Sequence, residues 1–79
     1  MELSTVAAKA QRAEELVRLG ARVRELRLQR GQTQEQVAKA IGMNRVNFNR
    51  FEHGLTDLGV SRVRPLAQAL NVQPDQLFN

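Results

Sequence analysis

Apolar side chains recur at steps of three and four residues through the first thirty residues, at Ala10, Ala13, Leu16, Leu19, Val23 and Leu26. This spacing places them along one side of an α-helix. Ser4 or Thr5 is a suitable N-cap for a helix that begins at Val6 and ends near Gln29. Gly20 leaves two possibilities open, because a glycine can either divide a helix or be tolerated inside it.

Glycines and capping residues divide the next part of the chain. Gly31 follows a basic residue, which fits both the dipole of a helix C-terminus and a left-handed cap, so the first helix is predicted to end there. Thr33 and Gln36 have the spacing of a capping box and predict a second helix over residues 34–40. Gly42 is expected to end that helix.

A third helix is predicted after a short turn, with Asn44 as its N-cap and its end near His53. Two short helices that cross steeply need a small residue at their contact, which Ala38 supplies. They also need a residue that tolerates positive φ in the turn, which Gly42 supplies. The space between these helices and the rest of the domain is then filled by Val37, Ile41, Met43, Phe48 and Phe51.

Two further helices complete the predicted domain. The fourth has helical spacing at Val63, Leu66, Ala67 and Leu70. It should begin within residues 60–62, because Pro65 is tolerated only in the first turn of a helix. Pro74 can start a short fifth helix, and Leu77 and Phe78 are expected to pack back on the core. The pattern therefore predicts an all-α fold.

The amino-acid composition limits the kinds of fold and functional site that this chain can form. The 79 residues suffice for one small domain, and apolar residues make up 42% of the chain but aromatic residues only 4%, which suits packed helices. There is no cysteine and a single histidine, and no carboxylate cluster suggests a metal site. Nothing supplies a pair of nucleophile and base either. We therefore expect no cofactor, no metal and no enzymatic activity.

Charge and targeting signals bear on partners and location. The formal net charge is +4, and most of the cations are arginine, which suits bidentate contacts with phosphate and guanine. This favours a polyanionic partner, although a small domain can carry such a charge for solubility alone. No apolar stretch approaches membrane-spanning length, and the N-terminus lacks the order of a signal peptide. A soluble, cytoplasmic protein is expected.

The third helix offers an exposed polar face. At about 100° per residue, Phe48 and Phe51 lie about 60° apart and define the buried direction. The residues turned away from it, or at its flanks, are Arg45, Val46, Asn47, Asn49, Arg50 and His53. Arginine pairs with guanine, asparagine with adenine, and a valine methyl can meet a thymine methyl. The first three are the best candidates for base contacts, and Asn49 and Arg50 are expected to reach bases or phosphates.

These residues belong to a longer set of motifs. In order, the motifs are Arg24-Glu25-Leu26-Arg27, Arg30-Gly31, Thr33-Gln34-Glu35, Val37-Ala38, Ile41-Gly42-Met43, Phe48, Arg50-Phe51-Glu52 and Gly54. Together they resemble the Cro/C1-type helix-turn-helix domain of phage repressors and Xre regulators. The resemblance covers about residues 19–78. Asn44 stands where that family commonly has Ser or Thr, and Phe48 where it usually has an aliphatic residue.

The resemblance implies a five-helix, lambda-repressor-like domain that binds double-stranded DNA as a dimer, here with an extra or extended N-terminal helix. It implies that Gln34 hydrogen-bonds phosphate and supports Arg45. His53 takes a position usually held by a phosphate-contacting asparagine. The expected phosphate contacts are Gln34, Thr33, His53 and Arg24.

Several of these residues have a structural interpretation as well. Glu52 interrupts the basic surface and is expected to form an ion pair with an arginine of the first helix, either Arg27 or Arg30. Arg22, Arg24, Arg27 and Arg30 can be a solvated helix face, or one or two of them can contact flanking phosphates. The exposed Val46 and the helix-end His53 can equally be ordinary surface residues.

Residues 1–18 are expected to form a helical arm outside the DNA-binding domain, which is predicted to comprise residues 19–79. The apolar stripe of the arm either packs on its own domain or binds a partner. The predicted function is a sequence-specific transcription regulator, a repressor that acts as a homodimer on a pseudo-palindromic operator. The alternatives are a DNA-binding antitoxin of a toxin–antitoxin operon, which co-purification with a toxin would reveal, and a protein-interaction module on the same fold.

Overall fold

The computed structural model describes residues 2–78, with side chains from residue 8 onward. Its four α-helices are α1 (Glu2–Gln29), α2 (Gln34–Ala40), α3 (Arg45–Glu52) and α4 (Val63–Ala69). Two 3₁₀ segments, Val60–Arg62 and Pro74–Phe78, stand before and after α4. Every regular element in this part of the chain is helical, so the all-α prediction is confirmed. The fifth helix of the prediction is a 3₁₀ segment rather than an α-helix.

Helix α1 is continuous and begins at Glu2, so the predicted start at Val6 with a cap at Ser4 or Thr5 is wrong. Its 28 residues account for the 43 Å long dimension of the molecule, since each helical residue rises about 1.5 Å. Residues 8–15 are exposed, and Leu16 is the first partly buried side chain. No helix within residues 2–78 is long and apolar enough to cross a membrane.

Gly20 lies inside α1 and is buried. A Cβ atom at this position would lie 2.3 Å from the carbonyl oxygen of Phe51 and 2.7 Å from that of Glu52. Because both atoms belong to backbone at the end of α3, neither can move away independently. The glycine therefore allows close approach of two helices and does not divide α1.

The predicted signals around α2 are confirmed. Thr33 and Gln36 form a capping box, in which the threonine hydroxyl oxygen accepts from the Gln36 N–H at 3.1 Å and the glutamine amide oxygen accepts from the Thr33 N–H at 2.8 Å. Gly42 has φ of +72°, and the N–H of Met43 donates to the carbonyl of Ala38 at 2.9 Å. Local chemistry thus sets the length of α2 and the turn into α3.

Arg62, which precedes α4, stabilises the turn between α2 and α3 through hydrogen bonds. Its guanidinium donates to the carbonyl oxygens of Ile41 at 3.1 Å, Gly42 at 3.4 Å and Leu58 at 3.3 Å. The carbonyls of Ile41 and Gly42 directly follow the last residue of α2, where no further helical N–H groups are available as donors. No pattern in the sequence pointed to this role of Arg62.

The C-terminal part follows the prediction except at one residue. Helical backbone begins at Val60 as expected, first as 3₁₀ and then as α4, with Pro65 in the first turn. Leu77 is buried, but Phe78 is 59% exposed, so its predicted packing on the core is wrong. In a segment of about three residues per turn, adjacent side chains point in different directions, and only one of the two can face the core.

One hydrophobic core joins the four α-helices and the segment Pro74–Phe78, and its members are Val23, Leu26, Val37, Ala38, Ile41, Phe48, Phe51, Leu58, Leu66, Ala67, Leu70 and Leu77. The rings of Phe48 and Phe51 have centroids 5.9 Å apart and are tilted by 44°. Both rings are completely buried. The two aromatic residues of α3 therefore anchor that helix in the centre of the domain.

A buried ion pair lies beside this core. Arg27 of α1 donates through Nε to Oε2 of Glu52 at 2.7 Å and through Nη2 to Oε1 at 3.1 Å. The glutamate side chain is fully buried and that of the arginine is 8% exposed. Arg27 also donates to the carbonyl of Gln32 at 2.8 Å. The expected ion pair is confirmed, with Arg27 rather than Arg30 as the partner.

Replacing Gly20 by alanine tests the close approach of α1 and α3. Helix propensity alone would stabilise such a variant by about 1 kcal/mol. The clash with backbone atoms should instead destabilise Gly20→Ala by about 1 to 3 kcal/mol, as overpacking does. Denaturant unfolding measures the difference, and Ala21→Gly at the neighbouring exposed position calibrates propensity in this helix. A stabilised Gly20→Ala variant would contradict the packing described.

Arg27→Met should destabilise the fold by about 3 to 5 kcal/mol, because it leaves the carboxylate of Glu52 buried without its cation. The control is Arg18→Met, which removes an exposed pair with Glu15 and should cost less than about 1 kcal/mol. The double variant Arg27→Met/Glu52→Leu should lose less stability than Arg27→Met alone. Equal losses for the two single arginine variants would argue against a buried pair.

Candidate nucleic-acid interface

Helix α3 turns its polar face outward, as the sequence pattern predicted. Phe48, Phe51 and Glu52 are its buried residues. The remaining candidates are exposed at Arg45, Val46, Asn47, Arg50 and His53, and half-buried at Asn49. Val46 is 62% exposed although it is apolar. The exposed side of the helix therefore presents arginine and asparagine side chains and the two methyl groups of one valine. The acidic residue of α3, Glu52, is buried and does not lie on this side.

The start of α3 is set by Asn44. Its side-chain oxygen accepts a hydrogen bond from the backbone N–H of Asn47 at 2.8 Å, so the predicted N-cap is confirmed. Arg45 is therefore the first helical residue and projects from the N-terminal end of α3. In helix-turn-helix proteins this end of the third helix is the part that contacts bases.

Arg45 borders an open groove between the starts of α2 and α3. The groove is lined by Arg27, Leu28, Gly31, Gln32, Thr33, Gln34, Glu35 and Arg45. The Thr33 hydroxyl oxygen is used as the cap acceptor, but its proton remains able to donate to an anion. The structure therefore brings Arg45 together with two of the predicted phosphate-contacting residues, Thr33 and Gln34.

Gln34 uses its side-chain amide within the protein. Its Nε2 donates to Oδ1 of Asn49 and to Oε1 of Glu52, each at 2.9 Å. An amide nitrogen has two hydrogens, so neither remains for a phosphate in this arrangement. The donor that Gln34 still offers is its backbone N–H in the first turn of α2.

His53 follows α3 as its C-cap residue. Its Nδ1 lies 2.8 Å from the carbonyl oxygen of Asn49. Because a carbonyl oxygen can only accept, Nδ1 carries the proton, and a neutral ring then has an unprotonated Nε2. A hydrogen bond from this ring to phosphate would therefore require the doubly protonated form.

The arginines of α1 have different surroundings. Arg22 donates to the carbonyl of Gln76 at 3.0 Å and pairs with Glu25, and Arg27 is buried in its ion pair. Arg24 is exposed, and it lies one turn before Leu28, which lines the groove. Among the side chains that the structure describes, none forms a hydrogen bond with the Arg24 guanidinium.

The hydrogen bonds that link Gln34, Asn49 and Glu52 were not predicted from the sequence. Asn49 and Glu52 stand three residues apart in α3, so helical periodicity does place them on neighbouring positions. Gln34 reaches both from a different helix, across 15 and 18 positions of sequence. A single polar residue on a short helix carries no periodic signal for such a contact.

Comparison with known proteins agrees with this geometry. The Helix-turn-helix domain family matches residues 18–78. The restriction-modification controller protein C.AhdI from Aeromonas hydrophila is 35% identical with a TM-score of 0.77, over 82% of this chain and 98% of that chain. The hypothetical transcription factor NHTF from Neisseria is 26% identical with a TM-score of 0.74, over 85% of this chain and 78% of that chain. No curated protein sequence matches the chain.

The helix-turn-helix prediction made from the residues is confirmed by the family match, which includes every residue of the candidate interface. The chain belongs to the helix-turn-helix domain family.

Proposed function

We propose that this DNA-binding regulator acts as a sequence-specific repressor, with α3 in the major groove. The observation that carries the proposal is the combination of Arg45, Val46 and Asn47 on the exposed start of α3 with the complete burial of Phe48 and Phe51 behind them. A rigid helix with donors and a methyl group on its free side suits base edges. The simplest mechanism of repression is that the bound protein blocks the access of RNA polymerase to the DNA.

The proposed base contacts are Arg45, Val46, Asn47, Asn49 and Arg50, and the proposed phosphate contacts are Thr33, Gln34, His53 and Arg24. For Gln34 the donor is the backbone N–H, since its side-chain N–H groups are engaged. DNA binding is assigned to residues 19–79, and the arm of residues 1–18 is left available for a protein partner. The proposed site of action is the cytoplasm.

The second part of the proposal is a homodimer. An eight-residue helix covers a short stretch of groove, and dimers of this fold extend the site by placing two such helices about 34 Å apart. The surface around Val60 and Phe78, which are 91% and 59% exposed, supports a contact with a second copy. Val63 and Pro74 border the same shallow hollow. A two-fold dimer would bury this surface against itself.

A more specific candidate is control of restriction–modification genes. It is favoured by the 35% identity to C.AhdI, a restriction-modification controller protein that matches over 98% of its own length. If this candidate is right, the genes next to the gene for this chain encode a DNA methyltransferase or an endonuclease. Footprinting of the DNA upstream of those genes should then show a protected, pseudo-palindromic site.

Arg45→Ala should weaken binding to the selected operator by about 1 to 3 kcal/mol and relax the preference at one position of each half-site. Selection from random double-stranded DNA, followed by binding titrations, measures both effects. The control is Arg18→Ala, which removes the same charge from the exposed part of α1. It should weaken all sequences alike and only slightly. Equal specificity profiles for the two variants would reject the proposed orientation of α3.

Val60→Ser should shift the protein towards the monomer, because it removes apolar surface from the proposed contact without disturbing the core. The side chain is 91% exposed, so thermal unfolding should be nearly unchanged. Sedimentation equilibrium gives the mass, and DNA titrations should lose cooperativity in parallel. A dimer of unchanged affinity in Val60→Ser would show that the two copies meet elsewhere.

A further inference from the structure

We propose that Gln34 fixes the direction of the Asn49 amide, so that Asn49 presents only N–H donors to DNA and selects a G·C pair. This inference rests on the proposed function, in which α3 contacts bases. It assigns Gln34 a role as a positioning residue for base selection, separate from any contact of its own with phosphate.

The direction of each amide follows from the buried ion pair. A guanidinium only donates hydrogen bonds and an ionised carboxylate only accepts them. Glu52 is paired with Arg27 and fully buried, so the atom of Gln34 that lies 2.9 Å from Oε1 of Glu52 must be the nitrogen Nε2. The same nitrogen has a second hydrogen, which points to the side chain of Asn49 at 2.9 Å.

The atom of Asn49 that receives this hydrogen must be an acceptor, and it is therefore Oδ1. The Nδ2 group is then turned away from Gln34. Among the side chains that the structure describes, Gln32 Oε1 is the buried polar atom without a hydrogen-bond partner. Nδ2 of Asn49 also has no hydrogen-bond partner among these side chains. Because it is not one of the buried atoms, it is accessible to solvent. A chain of donors and acceptors that begins at Arg27 thus decides which end of the Asn49 amide faces outward.

This direction changes the base that Asn49 is expected to select. A free asparagine recognises adenine through both amide atoms, because Oδ1 accepts from N6 while Nδ2 donates to N7. Because Oδ1 is turned inward towards Gln34, it does not lie on the outward side of the amide, where the N6 group of adenine would have to meet it. Guanine presents two acceptors in the major groove, O6 and N7, and both suit an outward Nδ2 group. Asn49 should therefore favour G·C over A·T at its position.

The experiment begins with selection of sites from random double-stranded DNA by the full chain and by its Asn49→Ala variant. The position whose preference disappears in Asn49→Ala is the one that Asn49 contacts. We expect the unaltered protein to prefer G·C there by about two- to tenfold, the range for one or two hydrogen bonds. A preference for A·T, or a loss in Asn49→Ala that is equal for all sequences, overturns the inference.

Gln34→Met then tests the positioning role. It removes both donors and leaves the Asn49 amide free to turn, so the G·C preference should fall and A·T should gain at that position. In the Asn49→Ala background, Gln34→Met should have no further effect on the same position, because the two residues act as one unit. Gln68→Met, an exposed glutamine on α4, is the control and should leave the profile unchanged. An unaltered G·C preference in Gln34→Met overturns the inference.

A second variant covers the case in which Gln34→Met does not fold. Asn49→Asp keeps an acceptor for Gln34 but replaces the outward donors by an acceptor, so the G·C preference should be lost at that position alone. A retained preference overturns the inference. Circular dichroism unfolding shows which variants are folded at the binding temperature. If the unaltered protein enriches no sequence at all, the proposed function fails, which is distinguishable from a specific binder whose Asn49 position is insensitive to Gln34.

Discussion

The ion pair between Arg27 and Glu52 joins α1 to α3 where both are buried, and its geometry depends on the third element as well, because Gln34 of α2 donates to the same carboxylate. Removing two charges from water costs several kcal/mol, so such a pair adds little net stability by itself. The pair instead favours one arrangement of the three helices, because any packing that separates Arg27 from Glu52 leaves a charge buried without a partner. The orientation of α3 is therefore the one that keeps the pair together.

Two close approaches act in the same region. Gly20 lets the backbone of α1 meet the carbonyls at the end of α3, and a Cβ at Gly54 would lie 2.7 Å from Cα of Val17. Both glycines allow the C-terminal end of α3 to pack directly against α1. The N-terminal end, with Arg45 exposed, is left free. A helix anchored at one end and free at the other suits insertion of its first turns into a groove, while the rest of the domain stays outside.

In the proposed function, stability and base selection are connected through a few polar atoms. The carboxylate that balances Arg27 also determines which way the amide of Gln34 points, and Gln34 in turn holds Asn49 at 2.9 Å. A change made for affinity at Asn49 would alter the surroundings of a buried charge, and a change in the core would alter a group that we propose to contact a base. Arg45, which is exposed and borders an open groove, has no such connection and can vary more independently.

The sequence by itself determined where the helices α2 and α3 begin and end, because the capping box of Thr33, the Asn44 cap and the positive φ of Gly42 act within a few residues. Helical periodicity also identified the buried side of α3. Only the tertiary structure decided which arginine pairs with Glu52, what Gln34 and Arg62 bond to, and that Phe78 faces solvent. All but one of those hydrogen bonds join residues 15 to 25 positions apart, and the exposure of Phe78 depends on a turn of 3₁₀ backbone. A pattern of local spacing contains no information on which distant partner a polar side chain meets.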